Sequence, residues 1–301
     1  MGAARATMGF VDLSLRVDPE NPHALREHLG AAVALGYSVV ATDARVVAGD
    51  RNARAALALG LEPLPEDVTR AVASEASSSG TRPRLTRATR VTVTFAEPGE
   101  LQEVLTKHDD LVRRYDILAL EPASERAFVS ACNNRRADII ALPLGARLPF
   151  RLRPPAVKAA IAHGTCLEIA YNPALMDVAA RRQFFANAAA VVRAAGSGAG
   201  GGPAADVDDD DAAHPNANPN PKSKSSPRGG IVIAGGSRQA TELRGPYDVA
   251  NLATLFGMRD EHARAASSSR CLALLARAER RRKAESEAAT ATATATATAM
   301  R

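Results

Sequence analysis

"YDILALEPASERAFVSACNNRRADIIALP" (residues 115–143) reads as strand, helix, strand. "YDILAL" (115–120) and "ADIIALP" (137–143) are near-continuous apolar runs, as expected of strands covered on both faces. An amphipathic helix is expected between them, over 124–135. The same alternation extends in both directions. "FVDLSL" (10–15), "YSVVAT" (37–42), "RVTVTF" (90–95), "TCLEIAY" (165–171) and "GIVIAGG" (230–236) are further β-branched runs, and helices are expected at 22–35, 100–113, 154–163 and 173–195. Strand–helix alternation implies a parallel sheet. Seven such units in 301 residues predict an α/β fold, a TIM-barrel-like closed sheet of about seven parallel strands with one irregular or missing. An open doubly wound sheet is the alternative.

Two stretches interrupt the pattern. Residues 43–83 form a long link whose end, "SEASSSGTRPR", reads as mobile. Residues 196–228 are dense in Gly, Pro, Asn and Asp, too poor in apolar side chains to offset the entropy of ordering them. Because "GIVIAGG" follows directly, this is read as a disordered insertion before the last strand. The expected organisation is one domain over 9–277, interrupted at 196–228, with a low-complexity C-terminal tail at 278–301.

Composition narrows the class. The chain is 46% hydrophobic but 4% aromatic with no Trp, so its core is aliphatic. Thirty-eight Lys and Arg against 33 Asp and Glu give a net charge of +5, a balance that permits a nucleic-acid partner without establishing one. Three scattered cysteines (Cys132, Cys166, Cys271) read as reduced, structural thiols of an intracellular protein. "MGAARATMGF" at the N-terminus lacks the apolar run of a signal peptide, and no segment is apolar enough to span a membrane.

Hydrolytic chemistry finds little support. The six histidines form no H-x-H or H-E-x-x-H pair, and His23 and His28 are expected on a surface helix. There is no G-x-S-x-G and no phosphate-binding glycine loop, so neither cofactor nor metal is expected. Asp12 and Glu168 lie within strands, where they could bind a metal or act as acid and base. Ion pairs with interior arginines are the preferred reading. A metal-dependent phosphoesterase is the alternative function.

The arginines carry more information. "RLTRATR" (84–90) sets Arg84, Arg87 and Arg90 at loop or helix-like spacing before a strand. "ARLPFRLRPPAVK" (146–158) gathers Arg147, Arg151, Arg153 and Lys158 around Phe150. Arg181 and Arg182 lie on the next helix, and Arg238 and Arg244 flank the loop after "IVIAGG". Several of these fall in connections after strands, where barrel proteins collect functional loops. Guanidinium forks match phosphate oxygens, so these residues are the candidate RNA-binding set.

"ELRGPYDVANLATLFGM" (242–258) is the most specified stretch. Gly245 suits a helix N-cap, Pro246 the first turn, and Asp248 the positive end of the helix dipole. Val249, Leu252, Ala253 and Phe256 form one apolar stripe, and Gly257 suits a left-handed stop. Tyr247 and Asn251 lie away from the stripe. The expected role is a corner where Arg244 and the first free amides meet an RNA backbone.

These motifs resemble one family. "FVDLSLRV", "LGYSVVAT", "YDILAL", "RLPFRLRPPAVKAAIAHGTCLEIAYNPAL" and "ELRGPYDVANLATLFGM" are together similar to the thirty-kilodalton protein subunit shared by ribonuclease P and ribonuclease MRP, over roughly 9–45 and 84–277. The resemblance implies a barrel related to the polymerase-and-histidinol-phosphatase metal hydrolases, in a subunit that does not itself cleave RNA. Implied partners are the ribonuclease P or MRP RNA, a small RRM-like protein and other subunits of the particle, with the precursor RNA substrate contacted indirectly. Precursor tRNA 5′-end maturation or rRNA precursor processing is the implied task, and the nucleus, with the nucleolus, the implied location. The hydrolases open with D-L-H-x-H, whereas here Ser14 and Arg16 stand at the two histidine positions. A hydroxyl is a poor ligand and a guanidinium repels a cation, which supports the binding-protein reading.

Overall fold

A computed structural model describes residues 9–16, 22–63, 85–196 and 229–299. The β-branched runs form seven parallel strands in sequence order: β1 (Phe10–Arg16), β2 (Tyr37–Val47), β3 (Thr86–Phe95), β4 (Ile117–Pro122), β5 (Ile139–Ala141), β6 (Cys166–Ala170) and β7 (Gly230–Ala234). The sheet curls into a nearly closed TIM-like barrel, not the open alternative. Its seam is narrow: among the described residues, β1 meets the segment just after β7 through one parallel bridge, Leu15 to Ser237, and the Arg16 amide donates to the Ser237 carbonyl at 2.9 Å.

Helices cover the outside. They are α1 (Pro22–Leu35), α2 (Ala53–Leu59), α3 (Pro98–Lys107), α4 (Asp109–Val112), α5 (Glu125–Asn133), α6 (Pro154–His163), α7 (Asn172–Met176), α8 (Val178–Ala194), α9 (Pro246–Leu255), α10 (Asp260–Ala266) and α11 (Ser269–Ala299), with a 3-10 turn at Ala240–Glu242. The expected helix over 173–195 breaks at Asp177, whose side chain accepts the Ala180 amide and caps α8. The link over 43–83 is partly regular, since β2 runs to Val47 and α2 follows. Its "SEASSSGTRPR" end, Arg84 included, and the insertion over 197–228 lie outside the described residues.

Two shells of packing surround the sheet. Aliphatic strand residues such as Val91, Leu118, Leu167 and Ile231 meet the helices outside, in one continuous core with Phe128, Phe184 and Val191. Inside the barrel, Ala41, Ala88, Ile117, Ile139, Cys166 and Val232 close the N-terminal end around Cys271 and Leu274 of α11. Cys132, Cys166 and Cys271 are all unpaired and buried.

Helix α11 revises the tail boundary drawn at 278. Ala278 is 1% exposed, and the helix continues across the barrel floor. Arg277 (2.8 Å) and Arg281 (2.7 Å) both pair with the fully buried Asp138, just before β5. Asp138 also accepts the Leu118 amide at 3.0 Å, tying the helix to the sheet itself. Arg282 reaches Asp116 at 2.7 Å and Arg136 reaches Glu285 at 3.1 Å. The basic run "RAERRRKAE" is thus in large part a structural clamp.

Candidate functional site

Strand alternation sorts the interior into layers. Above the apolar floor lies a charged belt of Asp12, Ser14, Asp43, Arg90, Thr92 and Glu168, all buried. Arg90 sits at its centre with no exposed surface. Its two Nη groups fork onto Glu168, Nη2 reaching Oε2 at 2.7 Å. Nη1 also donates to the Leu13 carbonyl (2.8 Å), and Nε to Thr92 Oγ1 (3.1 Å) beside Asp43 Oδ1 (3.3 Å). Asp43 in turn accepts from Ser14 Oγ (3.1 Å) and Thr92 Oγ1 (2.6 Å). Ser14 is therefore committed to a carboxylate.

This belt removes Arg90 from the RNA-binding candidates. Residues 86–90 extend β3 rather than forming a loop, and the register that pairs Arg90 with Asp43 turns its side chain inward. Glu168 has the arginine partner expected of it. Asp12 instead accepts the amides of Ser14 (3.0 Å) and Gly235 (2.9 Å), while burial pushes its carboxyl up to about 6. Among the described residues, no group of three or more His, Cys, Asp and Glu side chains is arranged to hold a metal.

Two outer regions bring the remaining candidates together. In the first, the connection from β5 to α6 lies against α8. Asn187 Nδ2 grips the carbonyls of Leu144 (2.8 Å) and Ala146 (2.7 Å), and Phe150 stacks on Phe128 at 4.8 Å. The loop is thereby fixed while Arg147 and Arg151 stay exposed. A cleft of about 960 Å³ opens there, lined by Arg147, Phe150, Arg151, Asn187 and Arg193. Arg193 escaped the sequence reading because a lone arginine near a helix end carries no pattern. Arg153 is paired with Glu125, and Lys158 is exposed on α6. Arg181 donates Nε to the Ala174 carbonyl at 2.6 Å, and Arg182 is exposed beside it.

The second region is the seam between β1 and β7, where the start of α9 packs beside the N-terminal ends of β1 and β2. Pro246 opens α9 behind Gly245, Asp248 lies in its first turn, and Gly257 (φ +96°) ends it. Val249, Ala253 and Phe256 are buried, as the stripe requires. Tyr247 is exposed and meets Phe10 edge-on at 5.1 Å, and Asn251 is exposed. Among the described residues, Arg244 makes no ion pair with a barrel carboxylate. Its Nη1 instead folds back onto the carbonyls of Thr241 (2.8 Å) and Leu243 (3.0 Å), while Tyr37 and Tyr171 hold its backbone. Arg238 is exposed, with its amide held by Glu242 at 2.7 Å. Arg16 and Arg45, neither of them in the candidate RNA-binding set, lie at the C-terminal ends of β1 and β2, the rim of the barrel, where Arg16 feels the positive charges of Arg45 and Arg238.

Two placements differ from expectation. Arg87 is half-buried away from the rim, with Nε on Thr42 (3.0 Å) and Nη1 toward the Glu62 carbonyl (3.4 Å), so it braces the segment after α2. His28 is buried rather than on a surface, with Nε2 3.1 Å from Ser237 Oγ, and burial lowers its pKa.

The fold is a nearly closed TIM-like α/β barrel whose outer loops expose Arg147, Arg151 and Arg238. The family model for RNase P subunit p30 matches residues 9–200 and 216–283, and the chain belongs to that family. Among curated relatives, it is 29% identical over 265 residues to the mouse ribonuclease P protein subunit p30, covering 88% of this chain and 84% of that one. It is 33% identical over 190 residues to the Arabidopsis protein GAMETOPHYTE DEFECTIVE 1, spanning 63% of this chain and 27% of the relative. The probable ribonuclease P protein subunit 3 of Schizosaccharomyces pombe is 28% identical over 55% of this chain and 57% of its own. A chain in the cryo-EM structure of archaeal ribonuclease P with mature tRNA shares the fold, with a TM-score of 0.52 at 13% identity over 89% of this chain and 91% of that one.

Proposed function

We propose that this chain is a non-catalytic, RNA-binding subunit of the ribonuclease P or ribonuclease MRP particle. In this role it supports precursor tRNA 5′-end maturation, rRNA precursor processing, or both. The supporting observation is the clasped β5–α6 loop, which presents Arg147 and Arg151 on a fixed backbone beside Arg193. An ordered loop with exposed guanidinium groups grips phosphates at little entropic cost. The particle's RNA supplies the cleavage chemistry, and a small RRM-like protein is the proposed neighbour. The proposed location is the nucleus, including the nucleolus.

Titration of the full chain with its own ribonuclease P and MRP RNAs at several salt concentrations tests this. Affinity is expected to fall linearly on a log–log plot, by nearly one unit of slope per phosphate contact. The R147A/R151A double variant should melt like the parent, bind about tenfold or more weakly, and lose roughly two units of slope. Binding that is flat in salt, or indifferent to the double variant, would overturn the assignment of this loop. Ribonuclease activity of the purified chain without RNA would overturn the non-catalytic reading.

A further inference from the structure

We infer that the mouth of the barrel is a phosphate-binding site formed by Arg16, Arg45 and Arg238. The layering described above dictates its position. Beyond the register shift in β1, Arg16 lies one pleat past Ser14 and pairs with Asp43, and on β2 Arg45 lies one pleat past Asp43. Arg238 follows Ser237, whose carbonyl accepts the Arg16 amide at 2.9 Å, so the seam itself brings the third guanidinium to the rim.

The three arginines are held in different ways. Arg45 is paired with Glu121 yet its side chain stays 28% exposed, so it is anchored and accessible at once. Arg238 is exposed on a backbone fixed by Glu242, which also accepts from the Gln239 amide. Arg16 is half-buried, and its Nε, shielded from solvent, has no hydrogen-bond partner among the described residues. An unpaired buried donor on a cation is costly, and an anion at the rim is the group that would satisfy it.

Electrostatics agree. Arg16 is held below the ordinary guanidinium value by burial, then by the positive charges of Arg45 and Arg238, with Asp43 and Glu121 opposing. Glu121 offsets one of the three rim charges, and Asp43 is already taken by Arg90, Ser14 and Thr92. Counting Glu242 beside Arg238 as well, the described residues of the rim keep a surplus of positive charge. A phosphate group, with forked acceptor geometry and at least one full charge, fits that surplus.

The inference rests on the RNA-binding reading for the carrier of the phosphate, which can be a strand end, a backbone diester or the free anion. The test uses the full chain, inorganic phosphate, and two single-stranded RNA oligonucleotides differing only in a 5′-phosphate or 5′-hydroxyl. Variants R16Q and R238Q are compared with R147A/R151A. The 5′-phosphorylated strand is expected to bind about tenfold more tightly than the 5′-hydroxyl strand, and R16Q and R238Q are expected to erase that preference. R147A/R151A should weaken both strands and keep the preference, so the fates of the two sites are read separately. If R16Q and R238Q instead weaken both strands equally, the site holds a backbone diester. If they only abolish thermal stabilisation by millimolar inorganic phosphate, it holds the free anion. Unchanged affinities and unchanged phosphate stabilisation in R238Q, a surface change that should not disturb folding, would overturn the site.

Discussion

Replacing Arg90 with methionine tests the charged belt directly. The parent guanidinium is fully buried and satisfies Glu168, Asp43, Thr92 and the Leu13 carbonyl at once. Methionine fills much of the volume but leaves two buried carboxylates facing each other without a cation. Removing one partner of a buried pair costs about 3–5 kcal/mol. For a domain of this size that is a fall in melting temperature of roughly 6–20 °C. Urea denaturation of R90M, E168Q and the R90M/E168Q double variant gives the cycle. The double variant should cost less than the two singles added together, because it no longer strands the Glu168 charge. At a temperature where R90M remains folded, RNA affinity should match the parent. A loss below about 1 kcal/mol, strict additivity, or a folded R90M with a specific RNA defect would refute the assignment of Arg90 as a structural ion.

Three further outcomes follow from the geometry. A chain ending at residue 277 loses Arg281 and Glu285, leaving Asp138 with one arginine, and should be less stable by on the order of 2 kcal/mol in chemical denaturation. A chain ending at 286 should match the parent. Asp12, raised to about 6 by burial, binds more protons folded than unfolded between about pH 4 and 6, so its contribution to stability falls as pH rises through that window and is flat above it. Melting temperatures of the parent relative to D12N should accordingly improve on acidification from pH 7 to pH 5, and an equal response in both proteins would contradict the shift. Gly164, at φ +94° after α6, should cost about 1 kcal/mol when changed to Ala, measured by thermal melting.

The elements that could be read in advance are those whose signal is local. Near-continuous apolar strands and the capped helix at 246–257 announce themselves because burial on both faces and helix punctuation leave marks within ten residues. The floor helix did not, since "RAERRRKAE" looks like a solvated run until Asp138, 139 residues before Arg277, turns out to be its partner. Arg90 shows the same limit at the site. Its spacing from Arg84 and Arg87 suggested a basic cluster, but one step of strand register separates a surface guanidinium from one at the centre of a barrel. Arg16 and Arg45 were left out of the cationic set for the converse reason: each is isolated in sequence, and the pairing of β1 with β2 brings them to one end of the sheet.

The order of charges through the barrel constrains what its mouth can do. Asp43 and Glu168 are the carboxylates best placed to hold a cation, and both are engaged by Arg90. A metal ion drawn to them would have to displace a guanidinium with no exposed surface, leaving it buried and unpaired at a cost of several kcal/mol. Arg16 adds a second cation at the only end of the barrel that α11 does not plug. The interior is thus biased against positive ligands at two successive layers, and the same residues favour negative ones at the rim. A barrel arranged this way gains affinity for phosphate by the step that weakens its affinity for a metal. For that reason R16H, which lowers the positive charge at the rim, should weaken phosphate binding without creating metal binding so long as Arg90 stays in the belt. Zinc titration of R16H alone and together with R90M separates the two layers: uptake by R16H alone would show that Arg90 is no barrier.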